Sequence, residues 1–231
     1  MNRQLGLDLT PRTWGGMRTK AGRKKSGTRR DPLHRVRPEL ARHDPVHVVL
    51  RTNRAVGRLR RGSIYAAIRR ALRRSLGKAD FRVVHVSIQH NHLHFLVEAD
   101  HKDALRLGMQ GLAIAAAHAI NRARDRSGKV FEFRYHATQI TSPAQARNAL
   151  AYVLNNWRRH REDLAHDAAE RALVDPYASG LAFTGWAGAP RFAIPDGYEP
   201  LPVASPQTWL LETAWQLHGL VGLRERPGLR A

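Results

Sequence analysis

The segment FRVVHVSIQHNHLHFLVEA, residues 81–99, predicts two strands joined by a short turn. Both apolar runs are typical of β-strands, and the polar residues His90 and Asn91 lie between them. In the second run successive side chains point to opposite faces of a sheet, so that His92 and His94 share one face and apolar residues fill the other. We therefore predict an antiparallel hairpin that carries two imidazoles side by side, on the face opposite its packed side.

The flanking segments extend this hairpin into an α+β domain. PVHVVLRT, from Pro45, alternates like a strand, and Ser63 is expected to cap a helix with an apolar stripe. The arginines off that stripe either face solvent or contact nucleic acid. After the hairpin come an Ala-rich helix, ended by Ser127 and Gly128, and a strand within KVFEFRYHATQIT. This order predicts a ferredoxin-like antiparallel sheet with helices on one face.

The next helix has the clearest start signals in the chain. Ser142 is a good N-cap, Pro143 suits the first helical position, and Gln145 completes the spacing of a capping box. Tyr152 and Asn156 lie four residues apart on this helix and therefore share a face. Asn156 could supply an oxygen ligand to a metal ion beside two imidazoles, and Tyr152 could be a nucleophile or simply a half-buried helix aromatic.

Composition limits the partners of the chain. Lys and Arg number 39 against 19 acidic residues, which gives a formal net charge of +20 and favours polyanions such as nucleic acid. The absence of cysteine excludes thiolate metal sites and fits a reducing cytoplasm. The chain has no run of about 18 apolar residues, so we expect a soluble, cytoplasmic protein without a membrane partner. His-x-His alone is weak evidence for metal, because the chain contains 13 histidines.

Three regions differ in composition. Residues 1–43 form a basic segment that we expect to be disordered, residues 44–162 form the α+β core, and residues 163–231 form an extension. The extension includes Trp209 and Trp215, too much apolar surface for a free tail. It either docks on the core or contacts DNA.

Together these features resemble the REP-associated tyrosine transposases, which belong to the IS200-like single-tyrosine HUH transposases of insertion sequences. The resemblance runs from about Pro45 to Arg161 and rests on NHLHFLVEA, on a helix with MQGL and INR, on RSGKVFEFRYH and on a helix with AYVLNN. It implies that a divalent cation, Mg²⁺ or Mn²⁺, binds His92, His94 and Asn156.

The resemblance also implies the chemistry. Tyr152 would attack the scissile phosphate of single-stranded, hairpin-containing DNA, and the resulting 5′-phosphotyrosine would allow the strands to be rejoined. Tyr135 is the competing nucleophile, and its strand position suggests a packing role instead. Glu98 and Asp100 follow the histidines, either as acid–base groups or as solubilising residues; neither is identified as a base.

Basic residues flank the expected site and suit phosphate contacts, with ordinary surface charge as the alternative. They are Lys129, Arg134, Arg158 and Arg159. Two other functions remain open: a domesticated, catalytically silent nucleic-acid-binding protein, and an RNA-binding or ribosome-associated protein. The sequence leaves the oligomeric state open between monomer and homodimer.

Overall fold

The computed structural model describes residues 39–164, 174–188 and 197–228, which all belong to one compact unit, Arg35–Ala231. The basic segment predicted for residues 1–43 lies outside the described residues, apart from its last part, residues 39–43.

A four-stranded sheet and three long helices form the core. In chain order the elements are β1 (Val46–Arg51), α1 (Gly62–Arg73), β2 (Phe81–Ile88), β3 (His92–Ala99), α2 (Lys102–Ala123), β4 (His136–Gln139) and α3 (Pro143–Arg159). The C-terminal extension adds β5 (Trp186–Ala187), α4 (Trp209–Glu212) and β6 (Val221–Gly222). The sheet has the order β2-β3-β1-β4 with antiparallel neighbours, while β5 and β6 form a separate parallel pair. The predicted α+β class and ferredoxin-like antiparallel sheet are confirmed.

The predicted hairpin is the pair of β2 and β3. Phe81 lies opposite Ala99 and Ile88 opposite Leu93, with one irregularity in the ladder between Val83 and His85. The turn between the strands contains His90 and Asn91, as predicted. This pairing makes β3 a central strand, with β2 on one side and β1 on the other.

Both faces of the sheet are covered, which corrects the prediction that the helices lie on one face. The apolar side chains of β3 that include Phe95 pack into one core with α1 and α2. Leu96, which points the other way, belongs to a second core with α3 and the extension. The two cores follow from the strand period of two, because β3 is apolar on one face and mixed on the other.

Close packing fixes α2 against the first face. A Cβ atom added at Gly108 would lie 2.2 Å from the ring of Phe81, which is fully buried. Only glycine fits at this position. The small residues of this helix had predicted such close packing.

Two predicted boundaries differ from the structure. Helix α1 begins at Gly62, with Arg61 at the N-cap and no side-chain cap, so that Ser63 lies inside the helix. Only residues His136–Gln139 of the predicted strand KVFEFRYHATQIT form β4, and Phe131 makes an isolated bridge to Thr52. The segment therefore meets the β1 side of the sheet at two separate places.

The start of α3 agrees with its sequence signals. The hydroxyl of Ser142 accepts a hydrogen bond from the backbone N–H of Gln145 at 3.3 Å, and Pro143 is the first helical residue. The side chain of Gln145 reaches back and accepts from the N–H of Thr141 at 2.8 Å. This reciprocal pair fixes where the helix leaves the sheet.

The described part of the extension docks on the core. Trp186, Leu210 and Trp215 are buried in the second core, against α3. The sequence left two roles open for the extension, docking on the core or contacting DNA, and the structure shows that it docks. Among the described residues no helix is long and apolar enough to span a membrane.

Candidate functional site

Strand β3 and helix α3 bring the predicted site residues together. Nδ2 of Asn156 lies 3.0 Å from Nε2 of His94, and the ring centroids of His92 and His94 are 4.6 Å apart. The ring of Tyr152 stands edge-on to His94, with 5.2 Å between centroids. Residues more than 50 positions apart in the chain therefore meet because α3 packs across the histidine face of the sheet.

Hydrogen bonds set the tautomers of both histidines. Nδ2 of Asn156 donates to Nε2 of His94, so that Nδ1 of His94 carries the proton and donates to Nε2 of His47 at 3.1 Å. Nδ1 of His92 donates to Oδ1 of Asn91 at 2.9 Å. In both histidines the lone pair thus lies on Nε2, the form that a metal ion requires, and in His94 this lone pair accepts from the Asn156 amide.

The environment keeps these imidazoles neutral. Burial, followed by the neighbouring histidines His92, His47 and His160, lowers the pKa of His94 to about 2. Burial is also the main cause that lowers the pKa of His92 to about 4, with His160 and Arg51 adding to it. Neutral imidazoles at pH 7 need to lose no proton before they bind a cation.

The donor set fits a divalent cation with two imidazole ligands and one amide oxygen. Oδ1 of Asn156 is buried and accepts no hydrogen bond from the residues that the structure describes. A half-turn of the amide exchanges Oδ1 and Nδ2 and brings the oxygen next to Nε2 of His94. Among the described residues no three His, Asp or Glu side chains form a metal cluster, so the amide would have to be the third protein ligand.

His47 is a site residue that the sequence analysis missed. It lies on β1, its ring stacks on His94 with 5.2 Å between centroids at 21°, and its edge contacts Tyr152 at 5.6 Å. Burial, followed by His136, lowers the pKa of His47 to about 4. The alternation in PVHVVLRT, combined with the pairing of β1 and β3, could have placed His47 on the histidine face.

His160 is a second missed neighbour. It follows Asn156 by four residues, caps the end of α3, and its ring centroid lies 5.8 Å from that of His92. The helical spacing that joined Tyr152 to Asn156 also extends to His160.

Three other candidates lie outside the site. Tyr135 packs against the first core, on the far side of the sheet from Tyr152. The carboxylate of Glu98 is buried and accepts from Arg82 and from the start of α4, and Asp100 lies 3.4 Å from Arg42. Neither carboxylate is near the tyrosine as an acid–base group.

The four predicted DNA-contacting residues have different surroundings. The Arg159 guanidinium lies 5.6 Å from the centroid of the Tyr152 ring, and Lys129 and Arg134 are exposed on the segment that follows α2. Arg158 is 7% exposed and donates to Asp163 at 3.1 Å and to the carbonyl of Leu223 at 2.9 Å. Its guanidinium is engaged inside the protein, so the prediction of a phosphate contact is corrected for Arg158.

The fold and the site define an α+β domain with a strand-borne histidine pair opposite a helix-borne tyrosine. Residues 43–156, just under half of the chain, match the family model "Transposase IS200 like", which confirms the predicted resemblance. The matched segment contains His92, His94, Tyr152 and Asn156.

Two solved structures are similar to the chain. A REP-associated tyrosine transposase bound to a REP hairpin is 13% identical, with a TM-score of 0.47 over 55% of this chain and 74% of its own. A candidate transposase from Deinococcus radiodurans R1 is 14% identical, with a TM-score of 0.36 over 52% of this chain and 92% of its own. No curated protein sequence matches the chain.

Proposed function

We propose that the protein is a transposase that cleaves and rejoins single-stranded DNA through Tyr152, with Mg²⁺ or Mn²⁺ held by His92, His94 and Asn156. The observation that carries this proposal is the meeting of the histidine pair with both α3 residues in one site. The match to the IS200-like family supports the same reading of the domain.

The residues of the site have distinct tasks. His92 and His94 would hold the cation through Nε2, and the amide oxygen of Asn156 would complete the set. The bound cation would polarise the scissile phosphate and neutralise charge that develops on it. His47 would act as a positioning residue, since it fixes the tautomer of His94 through the bond between their ring nitrogens.

Tyr152 would supply the nucleophile. Its phenol oxygen forms a bond to phosphorus while the bond from phosphorus to the 3′ oxygen breaks, so the strand on the 3′ side of the break stays attached to the protein through its 5′ phosphate. The phenol proton ends on the released 3′-hydroxyl. One phosphate ester replaces another, so the reverse attack by a 3′-hydroxyl can rejoin strands without an added energy source.

Exposed basic side chains would hold the DNA beside this site. Arg159 borders the ring of Tyr152, and Lys129 and Arg134 offer further cations for the backbone. We propose a hairpin-containing strand as the natural substrate and the cytoplasm as the compartment. Both follow from the family resemblance.

The test is incubation of the purified chain with labelled single-stranded DNA pools, including hairpins and the flanks of its own gene. Denaturing gels run after incubation with Mn²⁺ or EDTA should reveal a covalent adduct with Mn²⁺ only. Tyr152→Phe should abolish the adduct, and Tyr135→Phe, the matched control, should retain it. Tight binding without any adduct would favour the catalytically silent nucleic-acid-binding protein.

A further inference from the structure

A basic groove lies on the other side of the sheet from the candidate site. It runs between α1 and residues 197–200 and has a volume of about 580 Å³. We define the α1 groove by Tyr65, Arg69, Arg70 and Arg73 on one wall and by Tyr198 and Glu199 on the other. Helix α1 packs in the first core and α3 in the second, so this groove is separate from Tyr152.

Hydrogen bonds hold the two walls of the α1 groove together. The hydroxyl of Tyr65 donates to the carbonyl of Glu199 at 2.8 Å, and Nε of Arg69 donates to the carbonyl of Pro200 at 3.0 Å. The rings of Tyr65 and Tyr198 lie 5.5 Å apart with a tilt of 33°. The groove is therefore a formed feature with an aromatic side, and its shape does not depend on a ligand.

The charge of the α1 groove is positive and largely uncompensated. Its single carboxylate, on Glu199, already pairs with Arg69. Arg70 and Arg73 are exposed and form no ion pair with any described residue, and the sequence of α1 contains no acid. These two arginines lie three residues apart and so project from the same side of the helix.

We propose that the α1 groove binds a second stretch of single-stranded DNA, with phosphates on Arg70 and Arg73 and a base against the tyrosine rings. A positive groove with aromatic side chains is the combination that binds unpaired strands with little sequence preference. The groove would hold DNA outside the cleavage site, so its contacts anchor the strand and take no part in the chemistry. This inference rests on the proposed function in one respect, namely that the bound nucleic acid is DNA and not RNA.

The test measures binding of fluorescent dT20 to the full chain in EDTA, where metal-dependent cleavage does not occur. Two phosphate contacts change the slope of log affinity against log salt by about 1.4, which is about 25-fold in affinity at 0.1 M salt. The double variant Arg70→Ala/Arg73→Ala should show this loss. The control Arg106→Ala/Arg122→Ala removes the same charge from exposed positions of α2 and should lose less than about threefold. Equal losses in the two double variants would overturn the proposal.

The aromatic part of the α1 groove has its own comparison. Tyr198→Leu removes the ring and should weaken dT20 binding at least about fivefold, whereas Tyr198→Phe keeps the ring and should bind nearly as tightly as the natural chain. If the Leu and Phe variants of Tyr198 weaken binding equally, the stacking contact is wrong. If the protein binds rU20 more tightly than dT20, the assignment to DNA is wrong. If the protein passes these binding tests but never forms a covalent adduct, the groove proposal stands and the proposed cleavage function is wrong.

Discussion

Glu98 joins the extension to the sheet, and its replacement by glutamine should destabilise the fold. Its side chain is fully buried on β3, beyond the histidine pair. The carboxylate accepts from Nε of Arg82 at 3.1 Å, from the N–H of Gln207 at 2.9 Å, and from the N–H and hydroxyl of Thr208 at 2.9 and 2.8 Å. It thereby caps the start of α4, which packs against the helix that carries Tyr152.

Glu98→Gln keeps the shape of the side chain but replaces one oxygen by a donor. That NH₂ group would then face donors of Arg82 or of the α4 start. The largely covered Arg82 guanidinium would lose the nearer of its two carboxylate partners, since Asp100 lies 3.8 Å away. Breaking a buried pair in this way costs about 3–5 kcal/mol. We therefore expect the free energy of unfolding to fall by at least about 3 kcal/mol, a large part of the 5–15 kcal/mol typical of a domain.

Urea unfolding followed by tryptophan fluorescence measures this loss, because Trp186, Trp209 and Trp215 lie in the extension. Glu212→Gln is the matched control: its carboxylate is exposed and forms no ion pair with the described residues, so the change should stay within about 0.5 kcal/mol. A Glu98→Gln protein within about 1 kcal/mol of the natural chain would refute the role of this carboxylate.

Three further predictions concern packing, metal and pH. Gly108→Ala should lower the free energy of unfolding by about 1–3 kcal/mol in the same assay, since the new Cβ meets the buried ring of Phe81; an unchanged value would contradict the close packing. His47→Phe keeps a ring beside His94 but removes the acceptor, and should weaken Mn²⁺ binding in calorimetry about 10- to 100-fold; unchanged affinity would exclude the positioning role. Burial lowers the pKa of His85 to about 4, below its unfolded value, so its contribution to stability is present above pH 6.5 and is lost as the pH falls. His85→Gln should reduce the difference in unfolding free energy between pH 7 and pH 5 by about 2 kcal/mol, and an undiminished difference would assign the pH dependence to other groups.

The sequence predicted the features that depend on local periodicity. Alternation placed His92 and His94 on one face of β3, and a spacing of four placed Tyr152 and Asn156 on one face of α3. The capping signals located the start of α3 at Ser142 because the residues that satisfy the free N–H groups lie within a few positions of it.

Features that depend on long-range packing were missed. Helix α3 lies on the opposite face of the sheet from α1, which the order of elements alone does not determine. His47 joins the site only because β1 pairs with β3, and Arg158 turned out to be buried because Asp163 and the extension surround it. Arg158 and Arg159 are neighbours with the same local sequence context, yet one is buried and the other exposed. Contacts with residues distant in the sequence cause this difference.

Identification of the residue that carries the DNA in the covalent adduct is the sharpest test of Tyr152 as the nucleophile. The adduct formed with Mn²⁺ would be digested with protease and nuclease, and the nucleotide-bearing peptide sequenced by tandem mass spectrometry. The nucleotide is expected on Tyr152, the one tyrosine that contacts His94 among the described residues. A nucleotide on Tyr135, or on any of the other tyrosines, would contradict it.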